Sequence, residues 1–178
     1  MRRIVAGFGL FGLLLVVPTR PAVAQMRGYF GAGAGIAIPT GDFADAVKTG
    51  WIGHVIGGFS GPKGMLGARV NGSFTQNNFD AGGGNFRLVG AMGDLVVSPM
   101  TGGGKARPYF LGGLGFQSGK NSISDSSSTK FAFNFGAGVT IKAGPNLAVF
   151  GEGRFVSVRF DPSASVIPIS VGVRFGGM

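Results

Sequence analysis

Residues 131–142 alternate without a break, with Phe131, Phe133, Phe135, Ala137, Val139 and Ile141 on one parity and Ala132, Asn134, Gly136, Gly138, Thr140 and Lys142 on the other. A period of two over this length predicts a β-strand with one apolar and one largely polar or small face. The same pattern recurs along the chain. Eight strands are expected, over residues 28–38, 51–59, 65–75, 85–97, 107–116, 130–142, 147–159 and 166–175. Each is close to the ~9–11 residues that cross a bilayer when tilted. In the third, Leu66, Ala68, Val70 and Phe74 oppose Arg69, Asn71, Ser73 and Thr75; in the eighth, Ile167, Ile169, Val171, Val173 and Phe175 oppose Pro168, Ser170, Gly172 and Arg174. Strands one, two and five carry small or apolar residues on both parities, so the pattern leaves their facing open.

The connections between these segments differ in kind. Ser60-Gly61-Pro62-Lys63-Gly64 and Ala143-Gly144-Pro145-Asn146 are short turns, whereas 39–50, 76–84 and 117–129 are longer polar stretches. Alternation of short and long connections fits short turns on the periplasmic side and longer loops outside. Two connections depart from it: 98–106 is long for an inner turn, and 161–165 is short for an outer loop. No stretch after Gln25 has the period of an amphipathic helix. The expectation is therefore an all-β, eight-stranded antiparallel up-and-down transmembrane β-barrel.

The chain begins with a secretory signal: Arg2 and Arg3, an apolar run over 4–17, and Ala22-Val23-Ala24 ahead of Gln25. The apolar run is too short to span a membrane as a helix, so cleavage between Ala24 and Gln25 is expected. Two segments result, a cleavable signal over 1–24 and a barrel domain over 25–178. With Arg2, Arg3 and Arg20 removed, the remaining 154 residues carry a formal charge of +6. Their Lys and Arg residues are scattered singly and form no basic helix, which argues against nucleic acid and for outer-membrane lipid and lipopolysaccharide. Cysteine is absent, which excludes disulfides, thiolate chemistry and a lipid anchor at the cleavage point. Glycine, at 36 residues, lies inside the alternating segments, where it relieves crowding in a small, strongly coiled sheet.

Inward-facing polar positions supply the candidate chemistry. Arg69, Asn134, Lys142 and Arg174 would lie in the lumen, with Asp94 and Glu152 as counter-charges and Arg154 two residues after Glu152 on the same face. Buried charges are tolerable when paired, so an ion-pair and amide network is expected to fill the interior. Eight strands enclose only enough room for side chains, which favours a closed lumen over a solute path. His54 is the single histidine, with no Ser or Thr two residues away to serve as a nucleophile; a structural role is expected, and no enzyme activity, cofactor or metal site. Residues 114–121 imitate a phosphate loop but end in Asn121 and lack a following helix. The serine-rich run 122–129 reads as a solvated loop. Tyr29, Trp51, Phe79, Tyr109 and Phe160, near strand ends, are candidates for interfacial aromatic girdles.

Four segments together resemble the outer-membrane β-barrel domain family, which includes the OmpA-like, OmpX-like and OmpW-like small barrels of Gram-negative bacteria. They are Gly28-Tyr29-Phe30-Gly31, the run 107–116, Val149-Phe150-Gly151-Glu152-Gly153-Arg154-Phe155, and Ser170-Val171-Gly172-Val173-Arg174-Phe175. The resemblance implies export through the periplasm to the outer membrane. It also implies insertion by the outer-membrane assembly machinery, which reads an aromatic-ended last strand, here Val171, Val173 and Phe175. The peptidoglycan-binding domain that OmpA-like proteins often add is not expected. The function expected is non-enzymatic, serving envelope integrity or surface interaction through the outer loops. Passage of small hydrophobic molecules, as in OmpW-like barrels, and lipid modification around His54 are the alternatives.

Overall fold

The computed structural model describes residues 26–61, 64–80, 83–99, 104–122, 126–161 and 163–177. Ala24 and Gln25 lie outside them. Eight strands form one closed sheet in sequence order: β1 (Arg27–Thr40), β2 (Gly50–Ser60), β3 (Leu66–Asn78), β4 (Asn85–Val97), β5 (Ala106–Asn121), β6 (Ser126–Lys142), β7 (Leu147–Val158) and β8 (Ala164–Gly176). Every neighbour is antiparallel, and β1 closes on β8 from Tyr29↔Gly176 to Thr40↔Ser165. Closure leaves no unpaired edge, as a sheet in lipid requires.

The alternation maps onto this wall. Phe30, Val55, Val70, Leu95, Leu114, Phe116, Phe135 and Val171 stand exposed on the outside, where lipid is the solvent for large apolar groups. Their sequence neighbours point inward. β1, β2 and β5, undecided by pattern alone, turn Tyr29, His54, Ile56, Tyr109 and Leu111 into the lumen.

Three expectations need correction. The start of 76–84 and most of 117–129 are strand rather than loop, because β3 runs to Asn78, β5 to Asn121, and β6 starts at Ser126. These residues lack apolar alternation because both faces of the sheet are wet above the membrane, yet ladder pairing continues through Ser118↔Thr129 and Lys120↔Ser127. The five candidate girdle aromatics are also mostly placed elsewhere: Tyr29 and Tyr109 are buried in the lumen, Phe160 packs on the apolar cluster inside the outer mouth, and Phe79 bridges to Val47. Trp51 alone of the five stands exposed on the wall, against Phe74 at 5.2 Å. Finally, the polar network does not fill the lumen, whose outer part is apolar.

That outer part contains Leu88, Met92, Ala132, Val156, Val158 and Val166, with Phe43, Phe86 and Phe160 packed on them. Phe86 meets Phe43 at 5.3 Å and Phe160 at 6.2 Å, both edge to face. Phe43 arrives on a short 3-10 turn, Gly41–Phe43, in the β1–β2 connection. Asn77 holds this connection down by donating to the carbonyls of Ala37 (3.1 Å) and Lys48 (2.8 Å).

Candidate functional site

Below the apolar cluster lies a charged layer built on five strands. Arg69 of β3 stands directly opposite Asp94 of β4 in the ladder, and its Nε and Nη2 donate to Asp94 Oδ2 at 3.1 and 3.0 Å. The same guanidinium reaches across the barrel to β7, where Nη1 donates to Glu152 Oε2 at 2.7 Å and Nη2 to Oε1 at 3.3 Å. One planar fork thus joins two carboxylates, a geometry that arginine provides and lysine does not. Glu152 has two further partners, the Tyr109 hydroxyl donating to Oε2 at 2.7 Å and Arg154 Nε lying 2.9 Å from Oε1. The Arg154 contact is an ion pair without an aligned hydrogen bond. Asn134 completes the layer by donating to Asp94 Oδ1 at 2.8 Å and to Met92 Sδ at 3.3 Å.

Two cations meet two anions here, and all four side chains are at most 3% exposed. An isolated buried charge costs several kcal/mol, so neutrality and multiple donors are what allow the layer to exist. Arg154 continues the chain of contacts towards His54, with Nη2 3.4 Å from Nδ1. With its amide turned so that Oδ1 faces Arg154, Asn71 accepts from Nη1 and Nη2 at 3.3 and 3.2 Å. His54 stacks on Phe150 at 5.9 Å.

Glycine makes room for these long side chains. A Cβ at Gly136 would collide with the Arg154 side chain, and one at Gly138 with the Tyr109 phenol. β6 therefore offers bare backbone where its neighbours need volume.

The remaining expected residues lie elsewhere. Arg174 is outside the ion-pair layer, its guanidinium 4.5 Å over the Tyr29 ring. Lys142 has inward parity, but β6 ends there, so its side chain is exposed at the rim and does not join the network. Val171, Val173 and Phe175 all face outward, and Phe175 stacks on Phe30 at 5.5 Å across the closing seam. Tyr109, Asn71 and Met92 were missed as network members. For Tyr109 the signal was absent, because Gly112 and Gly113 give β5 small residues on both parities.

The arrangement suits static packing. His54 is buried, stacked on Phe150 and beside Arg154 and Ile56. Among the described residues no cluster of His, Asp and Glu is suited to a metal ion.

The model of the outer membrane protein beta-barrel domain matches residues 9–175. This chain belongs to that family. No curated protein matches the sequence. Solved structures share the barrel: Neisserial surface protein A aligns with a TM-score of 0.67 at 17% identity, over 83% of this chain and 96% of that one. Ail, the attachment invasion locus protein of Yersinia pestis, crystallised with the heparin analogue sucrose octasulfate, aligns at 0.58 and 17%, over 85% and 99%. The N-terminal barrel domain of Pseudomonas aeruginosa OprF aligns at 0.51 and 18%, over 85% and 97%. At such identities the likeness is one of fold. Family and fold together place the protein in the outer membrane.

Proposed function

We propose that this outer-membrane barrel is a non-enzymatic, non-conducting envelope protein, which presents its outer strand ends for surface interaction. The observation that carries the reading is the double closure of the lumen. The ion-pair layer seals the middle, and the Phe43, Phe86 and Phe160 cluster seals the outer mouth. Above the membrane the outer ends of β4, β5 and β6 expose Arg87, Lys120, Lys130 and serine hydroxyls, chemistry suited to lipopolysaccharide phosphates and other anionic surface groups. In the same reading the signal is cleaved between Ala24 and Gln25, and Val171, Val173 and Phe175 are the outward row that the assembly machinery takes up.

Purified protein in a planar bilayer should show no steady ion conductance. A reproducible conductance would transfer the function to transport. One feature favours that second reading: between Gly153↔Ile169 and Val156↔Val166 the β7–β8 ladder skips two positions, beside Pro168, which has no N–H to donate. The cavity behind this interruption measures about 10 Å³, at the lower limit for one water molecule, which favours a closed wall. Passage of a hydrophobic molecule would require this seam to open.

A further inference from the structure

Charge is distributed unevenly along the barrel axis. At the outer end Lys48, Arg87, Lys120, Lys130 and Arg159 are accompanied by Asp42, Asp45, Asp80 and Asp161, and Lys48 pairs with Asp80 at 3.4 Å. In the middle Arg69 and Arg154 are balanced by Asp94 and Glu152. The end that carries the N-terminus of β1 and the C-terminus of β8 holds Arg27, Lys105, Arg107, Lys142 and Arg174, with no acid among the described residues. Nearly all the excess positive charge thus collects at the periplasmic mouth.

Two of these cations line a pocket rather than the outer rim. Arg107 and Arg174 share a vestibule of about 40 Å³ with Tyr29, Ser60, Ser98 and Thr140. Arg174 is held over Tyr29, and its Nε is shut off from solvent without a hydrogen-bond partner. Arg107 lies against Gly64, whose φ is +65° and whose missing side chain is what gives the guanidinium its place. Among the described residues no carboxylate lies within ion-pair distance of either arginine. The nearest acids are committed, since Arg69 also lines the vestibule but is bound to Asp94 and Glu152, and the Tyr109 hydroxyl is given to Glu152.

Guanidiniums gathered in a partly buried space repel one another, and a planar fork is matched by the oxygens of a tetrahedral oxyanion. A volume of about 40 Å³ accommodates roughly three water-sized groups, the scale of a single phosphate and far below a nucleotide. We propose that the periplasmic vestibule of this barrel binds a phosphate group through Arg107 and Arg174. The group is either free phosphate or the phosphodiester of an anionic phospholipid in the inner leaflet.

The folded full chain in dodecyl maltoside micelles should be titrated with inorganic phosphate, at ionic strength held constant with chloride, by calorimetry and by thermal unfolding. A parallel arm compares nanodiscs of phosphatidylcholine with and without phosphatidylglycerol. Saturable phosphate binding in micelles identifies the free anion. A rise in Tm confined to phosphatidylglycerol discs identifies the headgroup. In whichever arm responds, Arg107→Gln and Arg174→Gln should each weaken the response at least tenfold, and Lys105→Gln and Lys142→Gln, which remove the same charge from the rim, should leave it unchanged. No saturable response in either arm overturns the proposal, and so does an equal loss in the lysine variants. If Arg174→Gln fails to fold, Arg107→Gln and Arg107→Lys decide. The lysine keeps the charge without the fork and should still lose most of the binding.

Discussion

The two halves of the lumen solve one packing problem with opposite chemistry. Around Arg69 the interior is filled by charges that tolerate burial only as a set, each carboxylate answered by a guanidinium and by Asn134 or Tyr109. Around Leu88 it is filled by aliphatic and aromatic groups that need no partners, only contact. Met92 touches both, packing with Val156 and accepting from Asn134. The difference lies in how each half fails. Losing one member of the charged layer exposes the others to unpaired burial, whereas losing one member of the apolar layer leaves only a void.

Arg69→Leu should cause the largest loss. It leaves Asp94 and Glu152 buried without their shared cation, a change expected to cost about 3–5 kcal/mol, read as a lower urea midpoint for the folded barrel. A loss below about 1 kcal/mol would mean that water screens the layer, and the contrast between the halves would collapse. Leu88→Ala should follow at about 2–4 kcal/mol, from lost burial and an unfilled cavity. In this variant the ion-pair layer still closes the barrel, so conductance should stay absent; a steady current would show that the aromatic mouth alone forms the barrier.

His54→Gln should be milder, about 1 kcal/mol, since the amide can still face Arg154 and only the stacking on Phe150 is lost. Mass spectrometry of host lipid A and phospholipids should show no species that depends on His54. A modified lipid that vanishes with the variant, at equal amounts of folded barrel, would refute the non-enzymatic reading. Lys142→Gln should change stability least, within about 0.5 kcal/mol, because the residue sits at the exposed rim. A loss comparable to that of Arg69→Leu would place it functionally inside the layer from which the geometry excludes it.

The charged half was more legible than the apolar half. Arg69, Asp94, Asn134, Glu152 and Arg154 stand out as polar residues inside strands whose other parity is apolar, and charges in such places need partners. Leu88, Val156 and Val166 give no such sign, because an apolar residue in a membrane strand reads equally well as lipid-facing. Likewise the polar ends of β3, β5 and β6 resemble loops, since a strand wet on both faces loses the alternation by which strands are recognised.

Periodicity is a property of a few consecutive residues, and from it follow the number of strands and the facing of β3, β6 and β8, while the short and long connections and the export signal add the antiparallel membrane barrel. The facing of β1, β2 and β5 is different, because Gly and Ala on both parities leave no local preference; it is settled when those strands take their register between neighbours. The partners inside are equally non-local. Arg69 and Glu152 are 83 residues apart, and no pattern along either strand contains the other. Only closure of β1 onto β8 brings β3 and β7 face to face across a lumen narrow enough for one guanidinium to span, and that closure also turns Tyr109 onto Glu152 and folds Phe43 into the outer mouth.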